Sequence, residues 1–270
     1  MNHLFFFGSC VAIGVVSGFL GGLLGIGGGV VIVPALIILF DALFLFSPEI
    51  ATPVAVATSL ACIIFTSISA AFTQMRANMV DWPVVRRWAG FLVLGSFAAS
   101  FIAIALNTAT FRTLIGCFLL FVSFVMLTNW KPSAHRRFPG PLLSAGFAAA
   151  GGVVSGIAGI GGGNVVVPTL LYFNIPVHRA TATSSTLGVP IATAGTLGYI
   201  FTGWGKDLGA DNMLGYVYVP AFIAIVMATM FTAPLGVWVA HRLPPLPLRR
   251  GFGVLLILVS ARMLYSATLL

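Results

Sequence analysis

The groups in this chain best suited to chemistry are backbone amides. The segment Gly25-Ile26-Gly27-Gly28-Gly29-Val30-Val31-Ile32-Val33-Pro34 returns 134 positions later as Gly159-Ile160-Gly161-Gly162-Gly163-Asn164-Val165-Val166-Val167-Pro168, identical at eight of ten positions. Consecutive glycines interrupt a helix, admit positive φ and let a ligand approach the main chain closely. A helix that restarts after such a break aims unpaired N–H groups and the positive end of its dipole at whatever occupies the gap. That chemistry suits an anion. It makes Gly25, Gly27, Gly28, Gly29, Gly159, Gly161, Gly162 and Gly163 candidate substrate-binding residues. The competing reading is that the glycines are close-packing contacts between helices, although three in succession exceed what packing needs. A nucleotide loop is excluded: no strand precedes the glycines and no Gly-Lys-Ser/Thr follows them.

A weaker echo follows each glycine run, Ala55-Val56-Ala57-Thr58-Ser59 and Ala180-Thr181-Ala182-Thr183-Ser184. Its hydroxyls, on Thr58, Ser59, Thr183, Ser184 and the adjoining Ser185, either donate to the same ligand or bond their own helix backbone, a habit of buried Ser and Thr. Asn164, the polar departure inside the second glycine run, either binds substrate or braces the broken chain. Arg76 lies where an anion would enter, and the same charge also serves as a topology signal. No HExxH, GxSxG or clustered acid pair occurs, so an enzyme is not expected. Cys10, Cys62 and Cys117 lack metal-ligand spacing and read as buried small hydrophobes, and His3, His135, His178 and His241 fall in loops or at helix ends. Neither a metal nor a cofactor is expected.

The elements that must position these groups are membrane segments. The chain is 59% hydrophobic and 7% charged, against about 25% charged in soluble domains. Apolar runs lie at 4–24, 28–46, 50–73, 83–106 and 111–129, then at 141–160, 163–174, 180–203, 215–240 and 249–268. The run at 163–174 is too short to cross a bilayer of about 30 Å, so it and its equivalent at 28–40 are candidate half-helices or re-entrant arms. The opening stretch has no Lys or Arg ahead of its apolar run and reads as the first helix instead of a signal peptide.

Ten of the 13 basic residues fall in four loops: Arg76, Arg86 and Arg87; Lys131, Arg136 and Arg137; Arg179; and Arg242, Arg249 and Arg250. The opposite loops hold Arg112, Lys206 and Arg262 with Asp41, Glu49, Asp207 and Asp211. Basic loops stay in the cytoplasm, which places both termini outside. Five segments per half is an odd number, so the second half enters from the opposite side. The expected fold is therefore all-α and polytopic: two inverted five-segment repeats, 1–130 and 141–270, joined by a cytoplasmic linker at 131–140. The basic residues are scattered between apolar runs instead of along one face, which argues against nucleic acid.

The duplicated Gly-x-Gly-Gly-Gly-x-x-x-x-Pro, the Ala-x-Ala-Thr-Ser segments, Met79-Val80-Asp81-Trp82 after a basic loop and Leu214-Gly215-Tyr216-Val217 together resemble the sulfite exporter TauE/SafE family over nearly the whole chain. The resemblance implies export of sulfite, sulfoacetate or a similar small sulfur-containing anion across a bacterial inner membrane. A gated anion channel and a carrier for another small anion such as a carboxylate stay open beside it. Expected partners are the anion, the lipid bilayer and a second copy in a homodimer. An interior-negative potential drives anions outward, so a dianion could leave by facilitated diffusion, and any proton could travel on the substrate as bisulfite.

Overall fold

The computed structural model describes residues 3–24, 27–76, 78–128, 140–240 and 245–268. Within them the chain forms ten helices: α1 (His3–Leu24), α2 (Gly29–Ala42), α3 (Pro48–Arg76), α4 (Trp82–Ala105), α5 (Thr108–Thr128), α6 (Pro141–Ala158), α7 (Gly163–Tyr172), α8 (Val177–Gly203), α9 (Val219–Ala240) and α10 (Pro245–Thr268). A two-residue hairpin, β1 (Met213–Leu214) with β2 (Val217–Tyr218), precedes α9 where the apolar run beginning at 215 suggested helix. Gly215, at φ +54°, makes the turn against Ile200. Among the described residues, six helices are long and apolar enough to span a bilayer. The protein is a multi-pass helical membrane protein.

The short segments are genuine half-length helices. At 1.5 Å per residue the 14 residues of α2 extend about 21 Å and the 10 of α7 about 15 Å, both short of the bilayer core. Each restarts on a left-handed glycine, Gly28 at φ +75° and Gly162 at φ +81°, a conformation that costs any residue with a Cβ. Pro34 and Pro168 then sit inside α2 and α7, where each removes one helical hydrogen bond.

The principal helix pairs form a scheme that is unchanged when first-half and second-half elements are exchanged. α1 packs on α9 and α6 on α4; α3 meets both α8 and α9, while α8 meets α3 and α4; α5 pairs with α10. The α5–α10 crossing is reciprocal. Ser123 Oγ donates to the Gly253 carbonyl and Ser260 Oγ to the Gly116 carbonyl, both at 2.7 Å. Residue numbers rise along α5 as they fall along α10, so the two helices run antiparallel. α3 and α8 do likewise: Gly188 lies against Ser67, and Gly195 against Leu60.

Two placements differ from expectation. Asp41 and Arg112 are not loop charges. Arg112, 2% exposed, donates Nη1 and Nη2 to the two Asp41 carboxylate oxygens at 2.8 Å each, Nε to Thr52 Oγ1 at 3.1 Å, and Nη1 also to Ser266 Oγ. This fork ties α2, α3, α5 and α10 together. Partnering makes a charge tolerable where an isolated one would not be. Cys117 is exposed, whereas Cys10 and Cys62 are buried. The linker residues Lys131, Arg136 and Arg137, with His135, His241 and Arg242, lie outside the described residues.

Candidate functional site

The site is built where the two breaks touch. A Cβ placed on Gly29 would lie 2.7 Å from the Gly159 carbonyl oxygen and 3.2 Å from Ile160 Cα, so only glycine lets the two interrupted strands of backbone meet. α3 runs behind both. Ser59 Oγ donates to the Gly159 carbonyl at 2.9 Å, and Thr66 Oγ1 to the Gly27 carbonyl at 3.3 Å, giving carbonyls freed by the breaks partners that lipid cannot supply. The contacts fall around Cys62, which has 14 residues of α3 on either side of it. The breaks are therefore level with the middle of the longest helix.

A cleft of about 340 Å³ reaches the breaks from one side. Gly27, Gly161 and Gly163 line its inner end together with Ser67 and Ser184; Ser69, Thr73 and Trp238 stand toward its mouth, and α1 contributes Ser17 and Gly21. Gly163 opens α7 and lines this space, which puts the first turn of a helix, where amides lack intrahelical acceptors, beside it. Closeness is again secured by glycine: a Cβ on Gly188 would meet both the Gly161 carbonyl oxygen and Ser67 Oγ at 2.8 Å.

The candidate hydroxyls divide sharply. Thr58 Oγ1 accepts from the Tyr218 amide at 3.0 Å, and its echo Thr183 accepts from the Asp81 amide at 2.9 Å. Each pins the connection leading into α9 or α4. Ser59 braces Gly159, and Ser185 Oγ returns to its own helix at Thr181. Ser184, the echo of Ser59, differs. Ser184 is among the residues that line the cleft, and its hydroxyl is buried with no hydrogen-bond partner. Asn164, 4% exposed, also keeps an unpartnered Nδ2 but is not among the cleft residues. Gly25 lies outside the described residues. Arg76 is exposed, with its guanidinium 4.2 Å from the centroid of the Phe72 ring, and lines no part of the cleft.

Sequence reasoning missed Ser17, Thr66, Ser67 and Thr73. A signal existed for α3: Ser59, Ile63, Thr66, Ser67 and Ala70 recur at helical spacing on one face, the face now seen against the breaks. Beyond the breaks, away from the cleft, Tyr218 packs edge-on against Phe6, Phe40 and Phe46 with ring centroids 5.7, 6.2 and 5.4 Å away. All four rings are buried.

The family model for "Sulfite exporter TauE/SafE" matches residues 10–263. A "probable membrane transporter protein" of Haemophilus influenzae is 32% identical over 256 residues, covering 94% of this chain and 96% of that protein. Proteins of the same description in Methanocaldococcus jannaschii and Bacillus subtilis are 28% and 26% identical, covering 88% and 95% of this chain and 88% and 96% of their own lengths. No solved structure gives a significant match.

Proposed function

Since this chain belongs to the sulfite exporter TauE/SafE family and is thereby a membrane transporter and not an enzyme, we propose that it exports a small sulfur-containing anion, sulfite or an organosulfonate, by holding it between the two backbone breaks. The observation that carries this reading is the meeting of both breaks at mid-helix depth beside a cleft lined by Ser184, whose buried hydroxyl has no partner. Unwound backbone at membrane depth is stable only where protein or a water-filled cavity surrounds it, and transporters place such breaks at their substrate.

Residues 1–130 and 141–270 are two inverted repeats in this reading. The duplicated motif, the exchangeable pairing scheme and the antiparallel α3–α8 and α5–α10 pairs support it. The basic loops put the Arg76 end of α3 in the cytoplasm, so the cleft faces inward and the Tyr218 cluster closes the outside. The equivalent helix pairs are unequal. Ser96 on α4 bonds the Ile191 carbonyl of α8 at 2.8 Å, whereas the cleft opens between α3 and α9. Exchanging those two arrangements is what alternating access requires, and a cleft closed at one end favours a carrier over a channel.

Reconstituted protein should move sulfite or an organosulfonate out of liposomes, faster when an imposed potential is negative inside. Screening sulfite, sulfate, thiosulfate and sulfoacetate tests the cargo. If none moves and none raises the thermal unfolding temperature, the anion reading fails.

A further inference from the structure

We infer that the seat at the inner end of the cleft accepts only the singly charged form of an oxyanion, with Ser184 donating the hydrogen bond that holds it. This rests on the anion-carrier reading and adds charge state to it.

Ser184 carries the argument. Its echo in the first half, Ser59, spends its hydroxyl on the Gly159 carbonyl. Ser184 spends its own on nothing, although it is fully buried and lines the cleft. A buried hydroxyl without a partner is costly, and it becomes useful when a guest supplies the acceptor. Ser67, lying between Gly27, Gly161 and Gly188, offers a second hydroxyl to the same space.

The charge available is limited. Among the described residues, no cationic side chain lines the cleft. Arg112 is held by Asp41 in a fork of its own, and Arg76 is exposed beside Phe72. Among the described residues, what remains is the start of α7, where Gly163 lines the cleft, and, two residues behind the lining Gly27, the start of α2. Each helix start is equivalent to about +0.5 of a charge, so the pair offsets at most about one negative charge. A dianion would leave a second charge uncompensated at membrane depth, a penalty on the order of 100-fold in occupancy. Sulfite would then pass as bisulfite, its proton riding on the substrate, which needs no titrating side chain in the cleft.

The test compares two isosteric probes in proteoliposomes held at equal pH on both faces. Methanesulfonate keeps one charge throughout, whereas methylphosphonate passes from one charge at about pH 5 to two at about pH 9. Methanesulfonate flux should stay level across that range, and methylphosphonate flux should fall by more than about tenfold as its singly charged form is depleted. Ser184→Ala should weaken stabilisation by methanesulfonate about tenfold, the worth of one hydrogen bond to a charged group, without lowering the unfolding temperature of the ligand-free protein, because no protein contact is lost. Methylphosphonate flux that holds or rises with pH overturns the charge selection and leaves the carrier reading standing. Failure of both probes to move or bind at any pH overturns both. Wild-type methanesulfonate affinity in Ser184→Ala overturns the role of Ser184.

Discussion

Gly27 and Gly28 are neighbours in one break, yet alanine should be felt very differently at each. Both glycines are left-handed, at φ +76° and +75°, so either alanine incurs about 1–2 kcal/mol of backbone strain. Gly27 has room. A methyl there would sit 3.7 Å from Ile63 Cγ2 and 3.9 Å from Ser67 Oγ, ordinary contact distances. At Gly28 the methyl would lie 2.7 Å from the Ser17 carbonyl oxygen. That atom belongs to the backbone of α1, and relief requires shifting the helix, a further cost of about 1–3 kcal/mol. Gly27→Ala should therefore lose about 1–2 kcal/mol and Gly28→Ala about 2–5 kcal/mol, read from unfolding in detergent micelles. Gly27 lines the cleft and Gly28 does not, so flux per folded molecule should fall in Gly27→Ala despite its milder instability. Equal destabilisation by the two variants would refute the tight α1–α2 elbow. Full flux in Gly27→Ala would refute the placement of the guest against that backbone.

Ser59→Ala removes the bond that crosses from α3 to the second break and strands the buried Gly159 carbonyl, which should cost about 1–3 kcal/mol in the same unfolding measurement. The Asp41–Arg112 fork should respond asymmetrically. Asp41→Ala abandons a guanidinium that is almost wholly buried and should cost about 3–5 kcal/mol, whereas Arg112→Ala leaves a carboxylate that is one-third exposed and able to hydrate, and should cost less. Sidedness can be read by thiol labelling in a Cys117→Ser background: Thr73→Cys should react with a membrane-impermeant reagent only from the cytoplasmic face, and Glu49→Cys only from the other. Reaction of both from one face would contradict the topology drawn from the basic loops.

The breaks were legible because glycine is the residue that a left-handed turn and a backbone contact demand, and Gly28, Gly29 and Gly162 are used in those ways. Segment ends were legible to within a few residues because lipid requires long apolar runs. Pairing across the chain was not. Asp41 and Arg112 lie 71 positions apart, and nothing in either neighbourhood says that their helices will touch. The fates of Ser59 and Ser184 were equally hidden: the two residues are equivalent by sequence and distinguished only by the partner that Ser59 finds and Ser184 lacks. One signal was present and went unread. Gly116, Leu119, Val122, Ser123, Met126 and Leu127 recur 137 positions later as Gly253, Leu256, Val259, Ser260, Met263 and Leu264. That third echo marks the reciprocal α5–α10 crossing and would have extended the duplication through the last helix of each half.

In the proposed carrier, the position of the cleft also decides where electrical work is done. If water fills a cleft open to one face, that space stays close to the face's voltage, and the field of the membrane concentrates across the protein between the glycine breaks and the Tyr218 ring cluster. A guest reaching the breaks from the open side has crossed little of the field, and most of the roughly 2.3 kcal/mol per charge per 100 mV is released as it passes the rings. Loading should then be nearly indifferent to voltage, and voltage should govern the unloading step.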